Sequence, residues 1–130
     1  MTGRRPARPD TGFATVQFVF GVGLTLIAFT LIANVIVVHW GRGVVRTALD
    51  EGVRAGARVV EAAPACQQRA ETALDDLLAG PLRAGVGPVT CTADGQAVAA
   101  QTTATFDGWL PGMGSWTTTM QASAVREPGP

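Results

Sequence analysis

The chain has 130 residues, ten of them basic and ten acidic, so its formal net charge is zero. That balance excludes the usual nucleic-acid binder, which carries a clear basic excess, and the length holds one apolar segment and one small domain. Every basic residue is Arg, and Lys and Tyr are absent, a bias that base composition explains more simply than chemistry.

The chain opens with Arg4, Arg5 and Arg8, and residues 1–12 read as a basic cytoplasmic tail or leader. No charged residue then occurs from Thr11 to Val38. A helix of about 20 apolar residues, rising about 1.5 Å each, crosses the hydrocarbon core of a bilayer. Residues 13–40 are therefore expected to form a transmembrane helix. The alternative of a buried core helix fails because the rest of the chain has too little apolar mass to surround it. A cleaved secretory signal has an apolar region of only about 7–15 residues followed by small residues; here His39 and Trp40 follow, and Trp40 suits an interfacial anchor. Thr25 and Thr30 can return their hydroxyls to the helix backbone, and Asn34 and Gln17 lie near the two ends.

Arg42 and Arg46 follow the span, with Arg54 and Arg58 further on, so the positive-inside rule favours a cytoplasmic N-terminus only slightly. The two cysteines, Cys66 and Cys91, both come after the span. An even count in a small domain outside the cytoplasm reads as a disulfide, worth about 3 kcal/mol for a loop of about 25 residues in the chain-entropy model; two separate buried thiols are the alternative. The expected arrangement is a single-pass cell-membrane protein, N-terminus cytoplasmic, with an extracytoplasmic domain over residues 41–126 and a disordered tail at 127–130 into which Arg126 already frays.

Residues 43–63 predict a helix continuing from the span. Val45, Leu49, Gly52, Gly56, Val59 and Ala63 recur at three- and four-residue steps and form its apolar face. Asp50 with Arg54 and Arg58 with Glu61 are spaced as surface ion pairs. Gly41 and Gly43, between span and helix, mark a kink or simply a weakened helix. Pro64 ends or bends the chain. A second helix is expected over 66–79, with Ala70, Ala73, Leu74, Leu77 and Leu78 inward, stopped by Gly80-Pro81. Residues 82–88 read as a loop. Beyond Pro88 the period changes to two: a strand over 89–93, a hairpin turn at Asp94-Gly95, a strand over 96–106 with Val98, Ala100, Thr102, Ala104 and Phe106 on one face, then a third over 116–125 with Trp116, Thr118, Met120, Ala122 and Ala124 on one face. The fold class is thus a membrane-anchored α+β protein with a small three-stranded antiparallel sheet.

Catalytic chemistry has no foothold in this sequence. His39 has no second histidine and no paired nucleophile, and Cys66 and Cys91 lack a zinc-ligand spacing. Asp75 and Asp76 are adjacent on a helix and diverge, and Glu51, Glu61 and Glu71 read as helix-surface charges. Gly21 with Gly23, and Gly85 with Gly87, form no phosphate-binding pattern. No enzyme, cofactor, metal, nucleic acid or small-molecule substrate is expected. Gly21, Thr25 and Ala28 form a small-residue stripe that admits a second helix, or is ordinary span composition. The apolar loop carrying Trp109, Leu110 and Met113 offers a docking surface, or folds back on the core or the membrane face.

The opening Gly12-Phe13-Ala14-Thr15-Val16-Gln17, entering an apolar helix after an Arg-rich tail, resembles TadE-like proteins, pilin-like components of tight-adherence pilus systems whose entry reads Gly-Xaa-Ala-Thr-Val-Glu. The run from Ala48 to Arg58 is similar to the family's Ala-rich Arg-Glu-Gly-Ala-Arg-Ala segment, with Asp50 in place of the Arg and Val53 before Arg54. The resemblance spans residues 11–60. It implies a pilin-like structural protein that assembles with other pilin-like or pilus-assembly membrane subunits. It also implies cleavage of the Gly12–Phe13 bond by a prepilin peptidase, and puts Gln17 where the family has a carboxylate thought to pair with a neighbour's terminal amine. An uncharged amide costs less in lipid and packs a filament more weakly, which implies a minor or priming subunit. The alternative function is a membrane-tethered binding module unrelated to a pilus.

Overall fold

The computed structural model describes residues 2–3 and 11–127; residues 4–10, with the three tail arginines, and 128–130 lie outside the described residues. Helix α1 runs unbroken over Thr11–Ala57, about 70 Å at about 1.5 Å per residue. Its first part is apolar on every side. Thr25 donates its hydroxyl to the Gly21 carbonyl and Thr30 to that of Leu26, each at 2.8 Å, the back-bonding expected of helix threonines. From Asn34 onward one face becomes buried at three- and four-residue steps: Asn34, Val38, Gly41, Val45, Ala48, Leu49, Gly52, Val53 and Gly56.

The helix passes through Gly41 and Gly43 without a break. Gly41 is small for a packing reason: a Cβ there would lie 2.9 Å from the Phe106 ring. The helix ends at Ala57 rather than near Ala63, so Val59 is exposed and only Ala63, in the next helix, is partly covered. Ala48, Val53 and Ala57 take the inward places instead. The chain turns over 58–61 and enters α2 at Ala62–Leu77. Pro64 thus sits in the first turn of α2, where its missing N–H would have no intrahelical partner anyway. Ala70, Ala73, Leu74 and Leu78 face inward, whereas Leu77 is 46% exposed. The two helices run antiparallel in close contact, with Gly52 against Ala70 and Gly56 against Cys66. The expected loop after Gly80-Pro81 begins as a short helix, α3, over Gly80–Ala84.

Strands β1 (Thr90–Ala93), β2 (Ala97–Phe106) and β3 (Trp116–Val125) form an antiparallel sheet in the order β1-β2-β3. Alternation in β2 is as the period-two pattern predicts: Val98, Ala100, Thr102, Ala104 and Phe106 are all buried. Residues 85–87 continue the β1 edge through a bridge between Val86 and Ala104. The buried Thr102 donates its hydroxyl to the Gly87 carbonyl at 2.9 Å. The fold is α+β: α1 from Asn34 onward and α2 cover one face of the sheet, around Leu49, Leu74, Val45, Val53, Val89, Val98 and Cys66.

The Asp94 turn differs from the expected form. Neither Asp94 nor Gly95 is left-handed, so it is not the primed turn of a two-residue Asp-Gly hairpin. The Asp94 carboxylate instead accepts the N–H groups of Gln96 and Ala97, each at 2.7 Å, a side-chain turn. Arg126, expected to fray, is a clamp. Its N–H bonds the Gln96 carbonyl at 2.8 Å, and its guanidinium donates to the carbonyls of Asp94, Val59 and Val60.

Candidate functional site

Two features dominate the surface: an uncovered apolar shaft and the collar of side chains where the folded domain grips it. α1 is long and apolar enough to cross a membrane, with a mean hydropathy of 2.4 in its best 18-residue window. Along the shaft Phe13, Phe18, Phe20 and Phe29 are about seven-tenths exposed. Gly12 and Phe13 lie in the first turn of α1, and Gln17 is exposed one turn on. Gly21, Thr25 and Ala28 are exposed along the shaft, and open space surrounds the Cα of Gly21. None of these residues meets the small domain.

The collar starts at Asn34, which is 3% exposed. Its Oδ1 accepts the backbone N–H of Trp109 at 3.3 Å. Phe106 packs over Gly41 two turns higher. The loop carrying Trp109 then reverses at Leu110-Pro111-Gly112-Met113. There the Met113 N–H bonds the Leu110 carbonyl at 3.1 Å and Gly112 has φ +88°. Pro at the second place and a left-handed Gly at the third make a type II turn. Leu110 and Met113 are half-buried and Trp109 is exposed. A groove of about 850 Å³ runs beside the collar, lined by Asn34, Val38, Leu82, Phe106 and Trp109 among others.

On the other flank, Arg42 donates from Nη2 to Thr118 Oγ1 at 3.1 Å, and its guanidinium lies 6.0 Å from the centre of the Trp116 ring. Its Nε is buried with no hydrogen-bond partner.

Cys66 on α2 and Cys91 on β1 form a disulfide with Cα atoms 6.2 Å apart, tying helix hairpin to sheet. Beside it, Arg83 of α3 reaches back to α2, with Nη2 on Glu71 at 2.6 Å and Nε on Asp75 at 2.7 Å. The hydrogen bond that Arg83 donates to Asp75 is the main cause that raises the Arg83 pKa; burial opposes it, and the charges of Asp75 and Glu71 add to it. Glu71 also accepts the Val89 N–H at 2.9 Å. Glu51, expected on the surface, pairs with Arg69 of α2 at 2.9 Å. Among the described residues the ion pairs thus join separate elements, and the expected local pairs Asp50–Arg54 and Arg58–Glu61 are not formed.

Among the described residues no group of three or more His, Cys, Asp or Glu converges. Sequence reasoning missed the partners of Asn34, Arg42, Arg83 and Arg126, all made across more than one element. The one available signal was Phe106, whose place at the end of an alternating strand face required an opposing small residue.

Protein-family models, curated proteins and solved structures were compared with the chain, and none matches.

Proposed function

We propose that this chain is a single-pass membrane protein with a structural role, a TadE-like minor pilin or assembly component of a pilus or secretion apparatus. One observation carries the reading. A single unbroken helix is bare and apolar over its first half, yet over its second half it forms the core of a small α+β domain. A rod of this kind places a rigid head at a fixed height above a lipid or helix-lined environment. Residues 13–33, below the collar, measure about 31 Å at about 1.5 Å per residue, which matches a hydrocarbon core of about 30 Å.

The Cys66–Cys91 disulfide supports an extracytoplasmic head, because such bonds persist in oxidising compartments. The cytoplasmic tail follows from that side. Exposed Gly21, Thr25 and Ala28 supply a face on which a neighbouring helix approaches closely, which supports pilin-like membrane subunits as partners. Gln17 in place of the family's carboxylate favours a minor or priming subunit over a bulk one.

The test is the N-terminal residue and intact mass of the chain extracted from membranes without reductant. A chain beginning at Phe13, and lighter by two hydrogens than after reduction, supports processing and assembly outside the cytoplasm. A chain retaining its first twelve residues removes the peptidase step and leaves a tethered binding module as the better reading.

A further inference from the structure

We propose that the collar is itself a membrane-docking surface, and that its occupant is the phospholipid headgroup layer. The inference rests on the reading of α1 as a membrane span and adds a second, independent contact to it. Trp109 is bonded through its backbone to Asn34, and a hydrocarbon core of about 30 Å, counted along the helix from Phe13, ends near Asn34. The loop is therefore tied at the level where lipid tails give way to headgroups.

The side chains found there have the chemistry of that layer. The three tryptophans of the chain are Trp40, Trp109 and Trp116, and they are 51%, 59% and 45% exposed. All belong to the collar or the turn of α1 beside it. Indole has an apolar body and one N–H donor, which is why it concentrates at membrane–water interfaces. Leu110 and Met113, both half-buried, add apolar surface on the same loop. The loop's charged residue is Asp107 at its start, whose carboxylate a phosphate layer repels.

Arg42 supplies the complementary charge. It stands two turns above Asn34 on α1, over the Trp116 ring, and among the described residues no carboxylate pairs with it. A guanidinium is a fork of donors suited to phosphate oxygens, and here, among the described residues, Thr118 is the one hydrogen-bond partner it has. The surface thus reads, in order from the shaft outward, apolar loop, indole ring and a cation without a carboxylate partner among the described residues, the order of tail, interface and phosphate in a phospholipid.

The full-length Trp40→Phe variant tests this, because its intrinsic tryptophan emission comes only from Trp109 and Trp116 and not from the span itself. The chain is reconstituted into phosphatidylcholine–phosphatidylglycerol vesicles and checked for flotation after an alkaline wash. Its emission is then measured with lipids brominated near the headgroup, with lipids brominated near the chain end, and with aqueous iodide. Strong quenching by the shallow bromolipid, with little from the deep one or from iodide, is expected. Arg42→Gln in the same background is expected to keep flotation and to gain iodide quenching as Trp116 lifts from the phosphates. Flotation with iodide-quenched, bromolipid-insensitive emission overturns the docking surface and leaves the span intact. Failure to float overturns the span reading, and with it the docking surface.

Discussion

The side-chain oxygen of Asn34 accepts the backbone N–H of Trp109, joining the helix shaft to a loop 75 residues further along the chain. An amide buried to 3% would be costly without a partner, and this bond explains a polar residue in an apolar stretch. It also defines where the bare helix stops and the head begins.

Replacing Asn34 with Leu keeps the branched shape, with somewhat greater bulk, and removes the acceptor. The Trp109 N–H is then left unpaired, which costs about 1–2 kcal/mol. In detergent, thermal unfolding of the head should move to lower temperature and protease should cut within residues 107–115 faster. An unchanged melting point with an unchanged cleavage rate would show that the loop is held by its side chains alone.

The glycines of α1 separate into two kinds. A Cβ on Gly52 would lie 2.8 Å from both the Ala70 Cβ and the Cys66 carbonyl oxygen. Gly52→Ala therefore forces the helices apart and is expected to destabilise by about 1–3 kcal/mol, despite the better helix propensity of Ala. Gly43 faces open space, so Gly43→Ala should stabilise by up to about 1 kcal/mol. Urea unfolding of the two variants checks the opposite signs. If both stabilise, α1 and α2 do not pack through Gly52.

Period alone made much of this fold legible. Strand β2 needed no tertiary information: its alternation from Val98 to Phe106 matches the burial residue by residue, and the change of period after Pro88 located the sheet. The helix hairpin was harder, because Ala, Val and Gly are common on both faces of residues 43–63, so the inward places of Ala48 and Val53 were not distinguished from that of Val59. Pro64 read as a break because a proline stops a helix from within but is tolerated in a first turn. The collar was least legible. Asn34 with Trp109, Arg42 with Trp116, and Arg126 with Val59 each join residues more than 60 positions apart, and no local pattern encodes such a pairing.

Glu71 and Asp75 both contact Arg83, yet they should differ in weight. The Glu71 side chain is 29% exposed and Asp75 is 65% exposed. Glu71 also holds the Val89 N–H, so Glu71→Ala loses a charged pair and orphans a backbone donor, costing about 2 kcal/mol. Asp75→Ala removes one solvent-screened contact and should cost about 0.5 kcal/mol. At about 4–8 °C per kcal/mol for a domain this small, a melting curve resolves the two. Equal shifts would mean that Glu71 acts only as a surface charge.

Asp94 gives the head an acid-sensitive turn. Its carboxylate is held below the usual range first by the N–H of Gln96, then by that of Ala97, with a smaller contribution from the charge of Arg126. The folded pKa therefore lies below the unfolded one, near about 3.9. The stabilisation is complete above that unfolded value and is lost as pH falls through the lowered folded value, where the protonated group accepts more weakly. Titration of the Asp94 carboxyl carbon by NMR should give a midpoint below that of a free Asp. The Asp94→Asn variant keeps an acceptor oxygen that does not titrate, so its stability should fall less steeply between about pH 5 and about pH 2. A midpoint at the ordinary value, with matching acid limbs for the two proteins, would mean that the turn is set by its backbone and by the Arg126 clamp rather than by the carboxylate.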